Sequence, residues 1–191
     1  MGEPARRLAT WEDLLKTPDD GLVWEVLSGS LEAQPRPRPT HGAVQGLIFS
    51  DLAGPFYRGR GGPGGWWLVI EPDVELGPHE IVAPDVAGWR RERLPELPPE
   101  RPVRVRPDWV CEVASPSNRW RDRGRKADLY LRFGVPHYWI VDLAPAYGYA
   151  LVGSPSRDAL WIIARKPALD PGIYERLVTK ARELGFDTGK L

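Results

Sequence analysis

The sequence predicts an α/β fold of the mixed α+β kind, with a central mixed sheet flanked by helices. Apolar runs typical of buried strands occupy residues 66–76, 81–89, 103–115 and 137–143. A helical pattern at about 122–133 lies between the last two runs. Neighbouring parallel strands need such a crossover, so the order of these elements favours a sheet that contains at least one parallel pair.

The N-terminal elements are a short helix, a hairpin and a longer helix. Residues 10–16 predict a helix with Thr10 as its N-cap, because an acid follows three residues later. Alternation of apolar and polar residues around Ser28-Gly29 predicts a β-hairpin. The proline-rich segment 34–40 is expected to be a stiff connector, and apolar spacing over 40–57 predicts an amphipathic helix.

The C-terminal third adds two strands and one helix. Gly134 and Pro136 are expected to end the helix that begins near residue 122. The sequences YGYALVG and ALWIIAR predict the two strands, and Pro171 opens the last helix. We expect one domain over 1–143 and an extension over 144–191 that is not an independent domain.

Composition excludes several classes of protein. The 191 residues contain one cysteine, Cys111, so no internal disulfide can form. No run is apolar and long enough for a membrane span, and the N-terminus lacks the apolar core of a signal peptide, so we expect a cytoplasmic protein without membrane contact. The 26 cationic and 26 acidic side chains balance, which argues against indiscriminate binding to polyanions.

Two carboxylates interrupt apolar strand runs. Asp85 would share a strand face with Ala83 and Ala87, and Glu112 would share one with Val110. A buried carboxylate is costly unless it is paired, hydrogen-bonded or bound to a metal. A shared Mg²⁺ ion would compensate the charge of both carboxylates, and an ion pair of each carboxylate with an arginine would do so equally well.

Lys126 is a candidate third member of this site. It lies on the helix that follows the Glu112 strand, on one stripe with Asp122 and Tyr130. A lysine there could approach a phosphate or a metal-bound water. The alternative is a surface lysine that pairs with Asp122.

Two other residues have structural interpretations: Asp108 opens its strand, and Cys111 points into the core.

Several motifs, taken in order, resemble the bacterial restriction-endonuclease family of the PD-(D/E)XK superfamily over about residues 10–143. The motifs are Trp24-Glu25 with Gly29 in the hairpin, His41 on the next helix, Pro84-Asp85, Glu112-Val113-Ala114, Ser115-Pro116-Ser117-Asn118, Asp122, Lys126 and Tyr130, Gly134-Val135-Pro136, and Tyr138-Trp139-Ile140-Val141-Asp142. The superfamily's lysine stands two residues after the acid, where this chain has Ala114. The resemblance makes Lys126 its counterpart on the following helix.

The resemblance implies a restriction-endonuclease-like fold and a Mg²⁺-dependent endonuclease acting on DNA, with Mn²⁺ as a possible substitute. Asp85 and Glu112 would hold the metal, together with the Val113 carbonyl. Lys126 would orient the attacking water or stabilise charge, and Glu25 would be a further acid at the site. His41 and Tyr130 would support these catalytic groups. A homodimer is expected because cutting both strands needs two sites, and no small-molecule cofactor is expected.

A basic run precedes Lys126. Arg119, Arg121 and Arg123 surround an aromatic residue, as in segments that contact DNA phosphates and stack on a base. A solvated helix start explains the same residues. Beside a nuclease-like site we favour contact with DNA.

The tail 149–191 resembles the last strands and C-terminal helix of bacterial lipocalins. The shared pattern is ALVG, then LWI-AR-P, then a helix that ends in ELGFDT. A lipocalin calyx needs about eight strands and the tail supplies two, so the resemblance does not imply lipid binding.

The alternatives to a nuclease are a non-catalytic nucleic-acid or protein interaction module on the same fold and, as the weakest, a binder of small apolar ligands.

Overall fold

Two β-sheets, one of six strands and one of four, form the framework of the protein. The computed structural model describes residues 7–114, 120–142, 149–153, 157, 160–164 and 166–189. In chain order the strands are β1 (Leu22–Leu27), β2 (Ser30–Pro35), β3 (Trp66–Ile70), β4 (Val74–Gly77), β5 (Glu80–Val82), β6 (Val86–Arg90), β7 (Trp109–Ala114), β8 (His137–Asp142), β9 (Tyr149–Gly153) and β10 (Leu160–Ala164). The helices are α1 (Trp11–Leu14), α2 (Pro39–Leu52), α3 (Trp120–Arg132) and α4 (Pro171–Glu183), and a π-helical turn, Ala53–Tyr57, extends α2.

The four-stranded sheet has the order β2-β1-β5-β4 and contains the predicted hairpin. Ser28 and Gly29 form its two-residue turn with φ angles of 52° and 70°. This left-handed pair matches the twist of the flanking strands, and it places Leu27 opposite Ser30. The prediction of a hairpin is therefore confirmed, and its register fixes which side of β1 carries Glu25.

The six-stranded sheet has the order β10-β9-β8-β7-β6-β3 and contains the predicted parallel pair. Strands β7 and β8 run parallel, and Glu112 lies opposite Ile140. Helix α3 connects them, as the pattern between the two apolar runs predicted. All other strand pairs of this sheet are antiparallel, so the mixed α+β class predicted from the sequence is confirmed.

Two apolar runs that we predicted as single strands are each divided between the two sheets. The run 66–76 contains β3 of the large sheet and β4 of the small one, and the run 81–89 contains β5 and β6. Glu71 has a φ of 46° before Pro72, and Pro84 lacks a backbone donor, so the ladders break at these points. Asp85, predicted on a strand, therefore lies in the connection immediately before β6.

Helices cover both faces of the large sheet. One face carries Val110 and Tyr138 and packs against α3 and α4 through Leu129 and Leu177. The opposite face carries Cys111, which is fully buried in the core as predicted, and packs against Val44 and Ile48 of α2, with Trp109 and Val113 beside it. Because side chains alternate along β7, Glu112 lies on the α3 face.

The C-terminal elements continue the large sheet. Strand β9 pairs with β8, β10 pairs with β9, and Asp170 caps the following helix by accepting hydrogen bonds from the backbone of Gly172 and Ile173. The two strands and the helix predicted for the tail are present. The domain boundary at residue 143 stays a prediction.

None of the helices in the described ranges is both long enough and apolar enough to cross a membrane.

Candidate active site

A cleft of about 540 Å³ contains the predicted acids and the predicted lysine. Glu25, Asp85, Glu112 and Lys126 all line it. The four side chains come from four places in the fold: β1, the connection before β6, β7 and α3. The structure therefore brings together residues that are up to about a hundred positions apart in the chain.

Glu112 is held by α3. Tyr130 donates a hydrogen bond from its hydroxyl to Glu112 Oε1 over 2.8 Å, and Lys126 Nζ donates to the same oxygen over 3.2 Å. Lys126 and Tyr130 are one helical turn apart, so both project from one side of α3 toward β7. Glu112 itself is 8% exposed.

Lys126 connects Glu112 to Glu25. Its Nζ lies 2.9 Å from Glu25 Oε1 and 3.2 Å from Glu112 Oε1. The side chain is buried, so the alternative of an exposed lysine is wrong. Because Glu25 belongs to the small sheet and Glu112 to the large one, this ammonium group forms an ion pair with each sheet.

Glu25 is fixed by the hairpin and by the residue that follows β5. Its Oε1 accepts the backbone N–H of Ala83 over 2.7 Å, and its Oε2 accepts the side-chain amide of Gln34 over 2.9 Å. At 2% exposure, Glu25 would be costly to bury without these donors and the Lys126 ammonium.

Asp85 is oriented by donors on both of its oxygens. His41 Nε2 lies 2.8 Å from Oδ1, and the backbone N–H of Val113 donates to Oδ2 over 2.6 Å. His41 is in the first turn of α2, so α2 supplies one of these contacts and β7 supplies the other. The Val113 N–H thus binds Asp85, and a role for the Val113 carbonyl as a metal ligand stays a prediction.

Burial and the shared negative charge change the protonation of the site. Burial, together with the charges of Asp85 and Glu25, raises the pKa of Glu112 to about 7, although Lys126 and Tyr130 act in the opposite direction. Burial lowers the pKa of Lys126, but the charges of Glu112 and Glu25 outweigh burial, so the net pKa is raised and the ammonium stays protonated. Burial foremost, and then the charge of Glu112, raises the Tyr130 pKa, so its hydroxyl remains a donor.

The pKa of His41 is also shifted by its hydrogen-bond partner. Burial lowers the pKa of this imidazole, yet the hydrogen bond to Asp85 and the charge of Asp85 together outweigh burial and raise the pKa above its ordinary value. The buried ionisable groups of the cleft are three carboxyl groups, one ammonium group and one imidazole. This excess of acid favours an additional cation in the cleft.

The chemistry of the cleft residues is compatible with a divalent ion held by two carboxylates. In the described ranges, no three His, Cys, Asp or Glu side chains are arranged as a metal-binding group. Mg²⁺ does not need such a cage, because one or two carboxylates often hold it while several waters complete its octahedron. Asp85 and Glu112 could supply that pair of oxygen ligands, and the excess of acidic groups would favour the cation electrostatically.

The remaining predicted site residues have different outcomes. Arg119 lies outside the described residues, and Arg121 and Arg123 lie on α3 with side chains outside them, so their contact with DNA stays a prediction. Asp108, interpreted as structural, pairs with Arg93 over 2.9 Å and accepts the backbone N–H of Arg90.

Two glutamines at the site were missed by the sequence reasoning. Gln45 donates to the Asp85 carbonyl over 2.7 Å, and Gln34 donates to Glu25. Gln45 is four residues after His41 on α2, and this helical spacing could have indicated it. Gln34 could be found only from the register of the hairpin, which sequence alternation does not fix.

The lipocalin-like tail has partial support from curated proteins. The chain is 38% identical over 76 residues to "Temperature-induced lipocalin-1" of Arabidopsis thaliana, a match that covers 35% of this chain and 41% of that protein. It is 38% identical over 45 residues to "Outer membrane lipoprotein Blc" of Vibrio cholerae, covering 24% of this chain and 26% of that protein. The chain thus spans about two fifths or less of the length of these relatives.

The fold has a counterpart among solved structures. It is similar to the "Crystal structure of a putative nuclease belonging to DUF820" from Anabaena variabilis, with a TM-score of 0.67 and 19% identity. The match covers 92% of this chain and 99% of that one.

A family model covers most of the chain and includes every residue of the site. The model of Uma2, described as "Putative restriction endonuclease", matches residues 11–172, which contain Glu25, Asp85, Glu112 and Lys126. The chain belongs to the Uma2 family of nuclease-fold proteins.

Proposed function

We propose that this protein is a metal-dependent endonuclease that hydrolyses phosphodiester bonds of DNA. One observation carries the proposal: Asp85, Glu112 and Lys126 line one cleft, and Lys126 binds Glu112 directly. Asp85 and Glu112 would hold Mg²⁺, or Mn²⁺ in its place. Such an ion supplies Lewis-acid activation of a water and of the phosphodiester.

Lys126 would stabilise negative charge on the phosphate that is attacked. Its ammonium has three N–H donors, and Glu25 and Glu112 account for two of them. The third donor could bind a phosphate oxygen or orient the attacking water. The raised pKa of Lys126 keeps this group charged throughout the physiological pH range.

Three further residues would position the reacting groups. Glu25 would fix the Lys126 ammonium, Tyr130 would fix the Glu112 carboxylate, and His41 would fix the Asp85 carboxylate. Precise orientation of ligands by such outer contacts is worth about 10–100-fold in metal affinity or activity.

The test is cleavage of supercoiled plasmid DNA in Mg²⁺, in Mn²⁺ and in EDTA. We expect cutting that depends on the metal and is abolished in Asp85→Asn and Glu112→Gln. In Lys126→Met we expect a loss of at least about 100-fold, as for removal of one charge-stabilising donor. Glu96→Gln, which changes an exposed acid away from the cleft, is the matched control.

Circular dichroism must show that each variant is folded. Equal cutting by the wild type and the Glu112→Gln variant would refute the assignment. Salt-dependent DNA binding without any cutting would instead favour the non-catalytic interaction module.

We further propose a homodimer, because two copies of the site are needed to cut both strands in one encounter. Light scattering coupled to size exclusion would give twice the 21.5 kDa chain mass. A monomer that only nicks plasmid DNA would contradict the dimer and leave the chemistry of the site intact.

A further inference from the structure

One rim of the cleft is basic, in contrast to its acidic floor. Arg36 and Arg38, from the connector between β2 and α2, line the same cleft as Asp85 and Glu112. Both arginines are exposed, whereas the acids below them are buried. A strand of nucleic acid that reaches the floor would therefore pass this rim.

Arg36 and Arg38 have no acidic partner in the part of the chain that the structure describes, and unlike Arg58 and Arg60 they line the cleft. Eight other arginines of the described ranges are bound in ion pairs: Arg7 to Asp13, Arg90 to Glu92, Arg93 to Asp108, Arg101 to Asp73, Arg104 to Glu75, Arg125 to Glu32, Arg132 to Glu80, and Arg157 to Asp128. The two rim guanidinium groups thus keep their donors available for an external anion.

The backbone of the connector is stiff. Prolines at 35, 37 and 39 alternate with the two arginines, and each proline fixes its own φ angle. Arg38 has φ −69° and ψ 157°, which is polyproline II geometry, so two residues span about 6 Å. Gln34 ties the start of this segment to Glu25 at the site. Little backbone entropy would be lost when an anion binds here.

Cations at the rim would help an acidic cleft to accept a polyanion. A polyanion that approaches three buried carboxylates is repelled, and a net charge of zero gives the chain no general attraction for DNA. The N-terminus of α2 follows Arg38 directly and has no acidic side chain in its first turn, so its dipole adds to the positive potential of this rim.

We propose that Arg36 and Arg38 bind the backbone phosphates that flank the scissile phosphodiester. This inference rests on the proposed function and adds the contact that holds the substrate strand over the acids. Because the contacts are to phosphates, they would contribute affinity and position without reading the base sequence.

The test separates binding from hydrolysis. Fluorescence anisotropy would measure the affinity for a labelled 20-base-pair DNA in Ca²⁺, an oxygen-binding cation used in place of Mg²⁺, at several salt concentrations. The variants are Arg36→Ala/Arg38→Ala and Arg36→Lys/Arg38→Lys. The matched control is Arg58→Ala/Arg60→Ala, which removes two exposed arginines of the same spacing that do not line the cleft. They follow the far end of α2, a 14-residue helix about 21 Å long.

The expected result is at least a tenfold weaker affinity for Arg36→Ala/Arg38→Ala and a salt dependence shallower by about 1.8 log units per log unit of salt. The lysine variant should keep the salt dependence, and the control should keep both affinity and salt dependence. Wild-type affinity in the Arg36→Ala/Arg38→Ala variant, an equal loss in the control, or no DNA binding by the wild type would overturn the proposal.

Plasmid cleavage in Mg²⁺ distinguishes this proposal from the proposed function. A wild type that binds DNA through Arg36 and Arg38 but never cuts it would refute hydrolysis and support the phosphate contact. A wild type that cuts, with binding unaffected by the two alanines, would refute the phosphate contact alone.

Discussion

Removal of the Lys126 ammonium is the most informative perturbation of the site. In Lys126→Met the carboxylates of Glu25 and Glu112 lose a cation that lies 2.9 Å and 3.2 Å away. At an effective dielectric constant of 20, one such pair attracts by about 5–6 kcal/mol, and the burial of each charge offsets much of this gain. Breaking a buried pair from one side costs about 3–5 kcal/mol, which we expect for the variant at pH 9.

The loss of stability in Lys126→Met should depend on pH in a defined direction. The pKa of Glu112 is already raised to about 7 from its ordinary 4.5, and it rises further without Lys126. A carboxyl with a raised folded-state pKa stabilises the fold below its unfolded pKa, and this contribution is lost as pH rises through the folded value. The difference between variant and wild type should therefore grow above pH 7 by up to about 1.4 kcal/mol per pH unit. Near pH 5 the loss of stability relative to the wild type should be about 1–3 kcal/mol.

Urea denaturation at pH 5, 7 and 9 measures these differences. Lys166→Met is the control, because Lys166 is exposed. Its replacement should lower the free energy of unfolding by no more than about 0.5 kcal/mol at any of the three pH values. A loss for Lys126→Met below 1 kcal/mol, or one that is the same at all three pH values, would refute the view that Lys126 neutralises buried carboxylates.

Three further predictions concern the same region. Tyr130→Phe removes the hydroxyl that donates to Glu112 over 2.8 Å, and urea denaturation at pH 8 should show a loss of about 1.5–3 kcal/mol; no change would mean that this hydrogen bond is absent in solution. Calorimetric titration with Mn²⁺ should show affinity falling by up to about tenfold per pH unit below pH 7, because protons compete for Glu112, and a flat profile would argue against Glu112 as a ligand. The thiol of Cys111, buried and with a raised pKa, should resist Ellman's reagent in native buffer and react fully in urea; rapid native reaction would contradict its place in the core.

Local patterns predicted the part of the fold that surrounds Glu112. The strand, crossover helix and parallel strand at β7, α3 and β8 follow from apolar runs and one helical stripe. That stripe also placed Lys126 and Tyr130 on one side of the helix, where both contact Glu112. Periodicity within each element was sufficient here, because Lys126 and Tyr130, which both donate hydrogen bonds to the Glu112 carboxylate, come from the next element of the chain.

Contacts between distant elements were not predictable in this way. Periodicity gave Asp85 a strand position, whereas Pro84 breaks the ladder and leaves Asp85 in the connection before β6. The hydrogen bond from Gln34 to Glu25 depends on hairpin register, and the partnership of His41 with Asp85 depends on how α2 packs on the sheet. The acids were identified by chemistry and resemblance, while their geometry required the tertiary structure.

The ion pairs of Lys126 have a consequence for how this protein can change over evolution. One ammonium group forms ion pairs with Glu25 of the small sheet and with Glu112 of the large sheet, so it links the two sheets. A relative without the proposed activity would still lose about 3–5 kcal/mol of stability if this buried ion pair were broken. Conservation of Lys126 in a relative would then indicate a structural role as much as the proposed catalytic one.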